Sequence, residues 1–139
     1  VDGIDHAGDV APSSLFQRAG GEPFFTELTR KFYAGVADDP LLRPLYPPRP
    51  DGLERARHHL ELFLIQHFGG PFVYRSERGE GRLVQRHRHL AIGPAERDAW
   101  LRHMGDAVRS AGLPPLDEAQ MLSFFAASAD HLVNQRDEP

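Results

Sequence analysis

Apolar side chains recur every three to four residues in four separate stretches of this chain, and glycine or proline stands at the breaks between them. That period and punctuation specify helices joined by short connections. No segment alternates apolar and polar residues convincingly over four or more positions, so no strand is expected. The clearest stretch is DGLERARHHLELFLIQHFGGP (51–71), where Leu53, Ala56, Leu60, Phe63, Leu64 and His67 trace one helical face. Asp51 with Glu54 predicts an acidic capping box at its start, and Gly69-Gly70-Pro71 a stop.

The other segments follow the same logic. In GEPFFTELTRKFYAGVADD (21–39), Pro23 suits a first helical position. Phe24, Leu28, Phe32 and Val36 recur every four residues, with Phe25, Thr29 and Tyr33 one step round, which makes a wide aromatic stripe. SSLFQRAGG (13–21) predicts a short helix capped by Ser13 or Ser14 and ended by Gly20-Gly21. Pro40, Pro44, Pro47, Pro48 and Pro50 forbid a long helix after the 21–39 segment, and one turn from Asp39 followed by a corner is expected. GPAERDAWLRHMGDAVRSAG (93–112) opens at Pro94 and sets Arg97, Trp100, Leu101, Met104 and Val108 on one face. LDEAQMLSFFAASADHLVNQ (116–135), with a cap expected from Asp117 and Gln120, lines up Met121, Leu122, Phe125, Ala129, Leu132 and Val133. PFVYRSERGEG (71–81) has no period and is expected to be a loop, with a short helix around 82–88. The expected organisation is one all-α domain over 14–135, a flexible extension over 1–13 and a tail over 136–139.

Composition excludes several classes of function. The 139 residues suffice for a real core. A net charge of −4 and a pI near 6.0 argue against a general nucleic-acid binder. No apolar run approaches the ~20 residues that span a bilayer, and VDGIDHAGDVAPSS lacks the apolar core of a signal peptide. Without cysteine there is no disulfide framework, thiolate zinc site or cysteine nucleophile. A cytoplasmic protein is the expectation.

Eight histidines raise the question of a metal. Two ligands on one helix should stand three or four residues apart. His58 and His59 are adjacent, and His87 and His89 are two apart, so neither pair chelates while helical. His6, His58, His103 and His131 are most simply solvated. His87 differs, because LVQRHRHL (83–90) puts Leu83, Arg86, His87 and Leu90 in one broad sector, an apolar wall interrupted by one imidazole. A histidine satisfied by a core hydrogen bond is the plainer explanation. Against it stands an unusually aromatic set: Phe32, Tyr33, Tyr46, Leu60, Phe63 and Trp100, three of which carry a polar tip. A flat apolar cofactor with one axial ligand position and two carboxylates accounts for both, and haem is that cofactor. Arg86 beside His87 then suits a propionate.

From about Leu15 to Val133 the chain resembles the second group of truncated haemoglobins. The residues that carry the resemblance are RKFYAGVADDPLLRPLYP, the FGGP that ends the long helix, RLVQRH and AERDAWLRHM, in that order. The resemblance implies a two-over-two helical sandwich around haem b, with His87 as the iron ligand. It places Tyr33, Tyr46 and Trp100 where bound gas sits. It puts Phe32, Leu60, Phe63, Leu64, Arg86, Ile92 and Met104 against the cofactor, with Met104 as packing rather than a sixth ligand. Ala56 stands where ordinary globins carry a distal histidine, and His59 is a candidate for the propionate rim. The implied function is reversible binding of oxygen and other diatomic ligands, CO and NO among them. Nitric-oxide dioxygenase or peroxidase chemistry is the alternative, and a haem-free helical interaction domain is a more distant rival. A reductase and a second copy of the chain are the remaining partner candidates.

Overall fold

The computed structural model describes residues 14–70 and 90–134. The expected extension, the 71–81 loop, the short helix around 82–88 and the tail, together with Arg86, His87 and His89, lie outside the described residues. Within them the secondary structure is entirely helical: α1 (Leu15–Ala19), α2 (Glu22–Ala37), a 3-10 turn (Arg43–Leu45), α3 (Gly52–His67), α4 (Pro94–Arg109) and α5 (Pro115–His131). Helix α2 packs on both α3 and α4, and α4 packs on α5, which makes two layers of two long helices.

Local chemistry explains most boundaries. The Ser14 hydroxyl accepts the Gln17 N–H at the start of α1, and Gly20, at φ 114°, ends it in the left-handed conformation that glycine tolerates. Helix α2 carries proline in its first turn and buries Phe25, Leu28, Thr29, Phe32, Tyr33 and Val36, the two adjacent rows expected from its period. At α4 the Glu96 carboxylate accepts the Gly93 N–H at 2.9 Å and closes the first turn.

Two predicted caps are not made. Asp51 stands before α3 but forms no cap bond. Its carboxylate takes the Arg49 guanidinium at 2.7 Å, and Glu54 turns to Arg57. Helix α5 begins at Pro115, so Asp117 falls inside its first turn. There it pairs with Arg18 of α1 at 2.9 Å and favours the positive end of the helix dipole. His103, expected in solvent, lies across Gly35 of α2, where an added Cβ would run into its ring. Its Nε2 stands 2.7 Å from Asp39 Oδ2, and this bond is the main reason the Asp39 carboxyl is held below the ordinary carboxylate range.

The Gly69-Gly70 pair does more than end α3. Phe68 O accepts the Phe16 N–H at 2.9 Å, which brings α1 down onto this corner. A Cβ at Gly69 would meet the Ser14 side chain, and one at Gly70 would meet Phe16 and Ile65. Two missing side chains are what allow α1 to dock here.

Candidate functional site

The inner faces of the long helices do not close on one another. They surround a cavity of about 330 Å³, within the range of small-molecule and cofactor sites. Helix α3 contributes Ala56, His59, Leu60, Phe63 and Leu64, and α5 contributes Phe124, Phe125, Ser128, Ala129 and Leu132. Helix α4 adds Glu96, Arg97 and Trp100. Tyr33 enters from α2, Leu42, Leu45, Tyr46 and Pro47 from the proline corner, and Leu90 and Ile92 from the segment before α4.

This cavity explains an oddity of α3. Leu62, Ile65 and the charged Glu61 are buried there although the predicted face omits them. Leu60 and Phe63, central to that face, are only half-buried. The predicted face points at the cavity, while protein covers its neighbours.

The corner places Tyr46. Its prolines stop a helix after the 3-10 turn, and the chain leaves extended at Tyr46, with φ −112° and ψ 153°. The Arg43 guanidinium donates to the carbonyls of Tyr46 and Pro47, both at 3.2 Å. At the start of α3, Gly52 lies so close under Pro47 that a Cβ would strike its carbonyl. Cation and glycine together fix the corner, and the Tyr46 ring meets the Tyr33 ring edge-on at 5.4 Å.

Tyr33, Tyr46 and Trp100 bring two phenols and an indole together on the cavity lining. Each carries an O–H or N–H that can donate, and the indole can only donate. Burial dominates for both phenols and raises both above the ordinary value, so each keeps its proton at neutral pH. The neighbouring Tyr46 adds to the rise at Tyr33, while Tyr33 and Trp100 oppose the rise at Tyr46.

The remaining expected residues divide. Leu60, Phe63, Leu64 and Ile92 line the cavity. Phe32 and Met104 do not: both are fully buried behind the lining. Phe32 supports Trp100 and Tyr33 with ring centroids 4.8 Å from each. His59 and Arg97 bring nitrogen donors to the lining, Arg97 being held by Asp98 at 3.0 Å and Asp130 at 2.9 Å. The sequence reading missed Leu42, Phe124, Ser128 and Glu96 as lining residues. Phe124 had a visible signal, since it stands one step before Phe125 of the Met121–Phe125 row, but Leu42 and Ser128 had none.

A half-open aromatic cavity inside a two-layer helical sandwich, with two phenols and an indole on its lining, marks a helical protein of the globin type. The bacterial-like globin family model matches residues 14–134, and the chain belongs to that family. The group 2 truncated hemoglobin YjbI of Bacillus subtilis is 37% identical over 115 residues, 83% of this chain and 85% of that one. The crystal structure of the hemoglobin from Chloroflexus aurantiacus superposes with a TM-score of 0.85 at 41% identity, covering 89% of this chain and 100% of that one. The hemoglobin of Thermobifida fusca gives 0.83 at 45% identity, over 87% and 97%. A haem-based ligand-binding role goes with the family.

Proposed function

We propose that this chain holds haem b in the cavity, with His87 as axial ligand, and reversibly binds oxygen, CO and NO beside Tyr46. The observation that carries the proposal is the Tyr33–Tyr46–Trp100 cluster, which sets two phenols and an indole together on the cavity lining. The residues present fit such a group. Leu60, Phe63, Trp100 and Phe124 are large side chains left half-buried around the cavity, and an apolar ring would cover them. Charged propionates require cationic partners, for which His59 and Arg97 of the lining and Arg86 in the sequence are the candidates. When bound, haem supplies an iron with an open coordination position for a diatomic ligand.

The chain's own contribution is polarity in the right place. A donor already oriented toward a ligand that gains negative charge stabilises it without reorganisation. Tyr46 is the donor assigned to that role, with the Tyr33 phenol and the Trp100 indole beside it on the lining. Ala56 contributes no donor. The aromatic and aliphatic walls keep water away from the ligand and so strengthen the Tyr46 bond.

Tyr46→Phe removes only the hydroxyl. A hydrogen bond to a charged acceptor is worth roughly 1.5–3 kcal/mol, so oxygen should dissociate about ten- to a hundredfold faster. Trp100→Phe and Tyr33→Phe each remove a neighbouring donor and should produce smaller increases. CO carries less charge and should respond much less than oxygen in all three variants. Stopped-flow off-rates for both gases provide the check. Oxygen release within twofold of wild type in Tyr46→Phe would falsify the distal assignment.

A further inference from the structure

Asn134 stands just past the end of α5 and reaches the segment that leads into α4. Its side-chain Oδ1 accepts the Ile92 N–H at 2.9 Å, and its Nδ2 donates to the Leu90 carbonyl at 2.8 Å. Its backbone N–H donates to the Ile92 carbonyl at 2.8 Å. A primary amide that accepts from one residue and donates to the carbonyl two residues earlier imitates the peptide group of a neighbouring strand. Residues 91–93 belong to no helix, so these backbone groups need partners from outside their own element. Leu90 and Ile92 both line the cavity. Their side chains therefore stand where Asn134 holds their backbone.

We infer that Asn134 is the positioning residue for this wall of the cavity, and that a haem in the cavity rests on the Leu90 and Ile92 side chains it holds. This second half rests on the haem reading above. The chemistry is specific to asparagine. Alanine offers neither bond. Aspartate keeps the acceptor for Ile92 but loses the donor for Leu90 and sets a carboxylate oxygen against its carbonyl.

The test uses the full chain loaded with haem and compares wild type, Asn134→Ala, Asn134→Asp and Asp117→Asn. The last breaks the Arg18 pair at the other end of α5, away from the cavity, and controls for a loss of stability alone. Three quantities are read: the iron–histidine stretching band of the ferrous protein, the rate of haem transfer to excess apomyoglobin, and amide exchange of Ile92 in the CO complex. Both Asn134 variants should shift the band, lose haem roughly tenfold faster and expose the Ile92 amide. Asp117→Asn should lower the melting temperature and leave band and exchange as in wild type. An unshifted band with haem loss within twofold in Asn134→Ala overturns the inference, as does an equal shift in Asp117→Asn. Accelerated Ile92 exchange with an unshifted band confines Asn134 to the wall and overturns its link to the haem. A His87→Ala protein that keeps the wild-type band overturns the axial reading itself, and is told apart from failure of the wall claim by the Ile92 exchange.

Discussion

Tyr33 and Tyr46 show how one residue's environment reaches the behaviour of the whole chain. Burial raises both phenols above the ordinary value of 10.0. A folded-state pKa above the unfolded one means the folded form holds its proton more tightly. The corresponding stability is complete below pH 10 and is lost as pH rises through the folded values. Urea unfolding between pH 8 and roughly 11 should therefore show stability falling at the alkaline end, and Tyr33→Phe should flatten that fall. A Tyr33→Phe curve parallel to wild type would mean that this phenol is not buried as described. The aromatic identity of these positions was legible in the sequence because Phe32 and Tyr33 fall on a helical stripe. Tyr46 was not: it follows a proline corner where no period operates, and only the family resemblance placed it beside Tyr33. The meeting of Tyr33, Tyr46 and Trp100 depends on three elements coming together, and no spacing in one chain contains that.

At the scale of the element, the α2–α3 contact rests on a buried polar cluster. Arg57 donates to both Glu61 and the Thr29 hydroxyl, the latter at 3.0 Å, and Thr26 donates to Glu61 at 2.8 Å. The same guanidinium binds the exposed Glu54 through Nε and Nη2 at 3.0 and 2.9 Å. These partners, Glu54 first, push the Arg57 pKa up against the opposing effect of burial. Side-chain exposure is 11% for Arg57, 6% for Glu61 and 66% for Glu54, and this contrast sets the expected energetics. Glu61→Ala leaves a buried charge short of a partner and should cost about 3 kcal/mol. Glu54→Ala removes a solvated pair and should cost under about 1 kcal/mol. Chemical denaturation of the two variants checks the ranking, and equal costs would contradict it. Helix periods were readable here because apolar spacing is local. The Arg57–Glu61–Thr29 cluster was not, because Arg57 meets Thr29 and Glu61 meets Thr26 across two helices, 28 and 35 residues apart in sequence. The misassigned caps have a related cause: Asp117 and Asp51 each found a cation, and a tertiary or neighbouring ion pair outweighed the local cap bond.

At the scale of the whole molecule, the long helices surround a cavity of about 330 Å³ lined by their inner faces. Among the described residues no helix is long and apolar enough to cross a membrane. A core completed by a cofactor is less stable without it. Binding to the native state alone adds on the order of 4 kcal/mol at a thousandfold excess over the dissociation constant. The haem-loaded chain should therefore melt well above the haem-free chain in matched scans, and coincident melting curves would argue that the walls close without a ligand. The central claim is that this cavity binds haem through His87, and absorbance titration of the purified full chain with haemin tests it most directly. The account predicts saturation at one haem per chain in wild type, with a sharp Soret band. It predicts loss or severe weakening of that binding in His87→Ala, while His89→Ala stays close to wild type. Absence of stoichiometric binding in wild type, or an undiminished Soret band in His87→Ala, would contradict it.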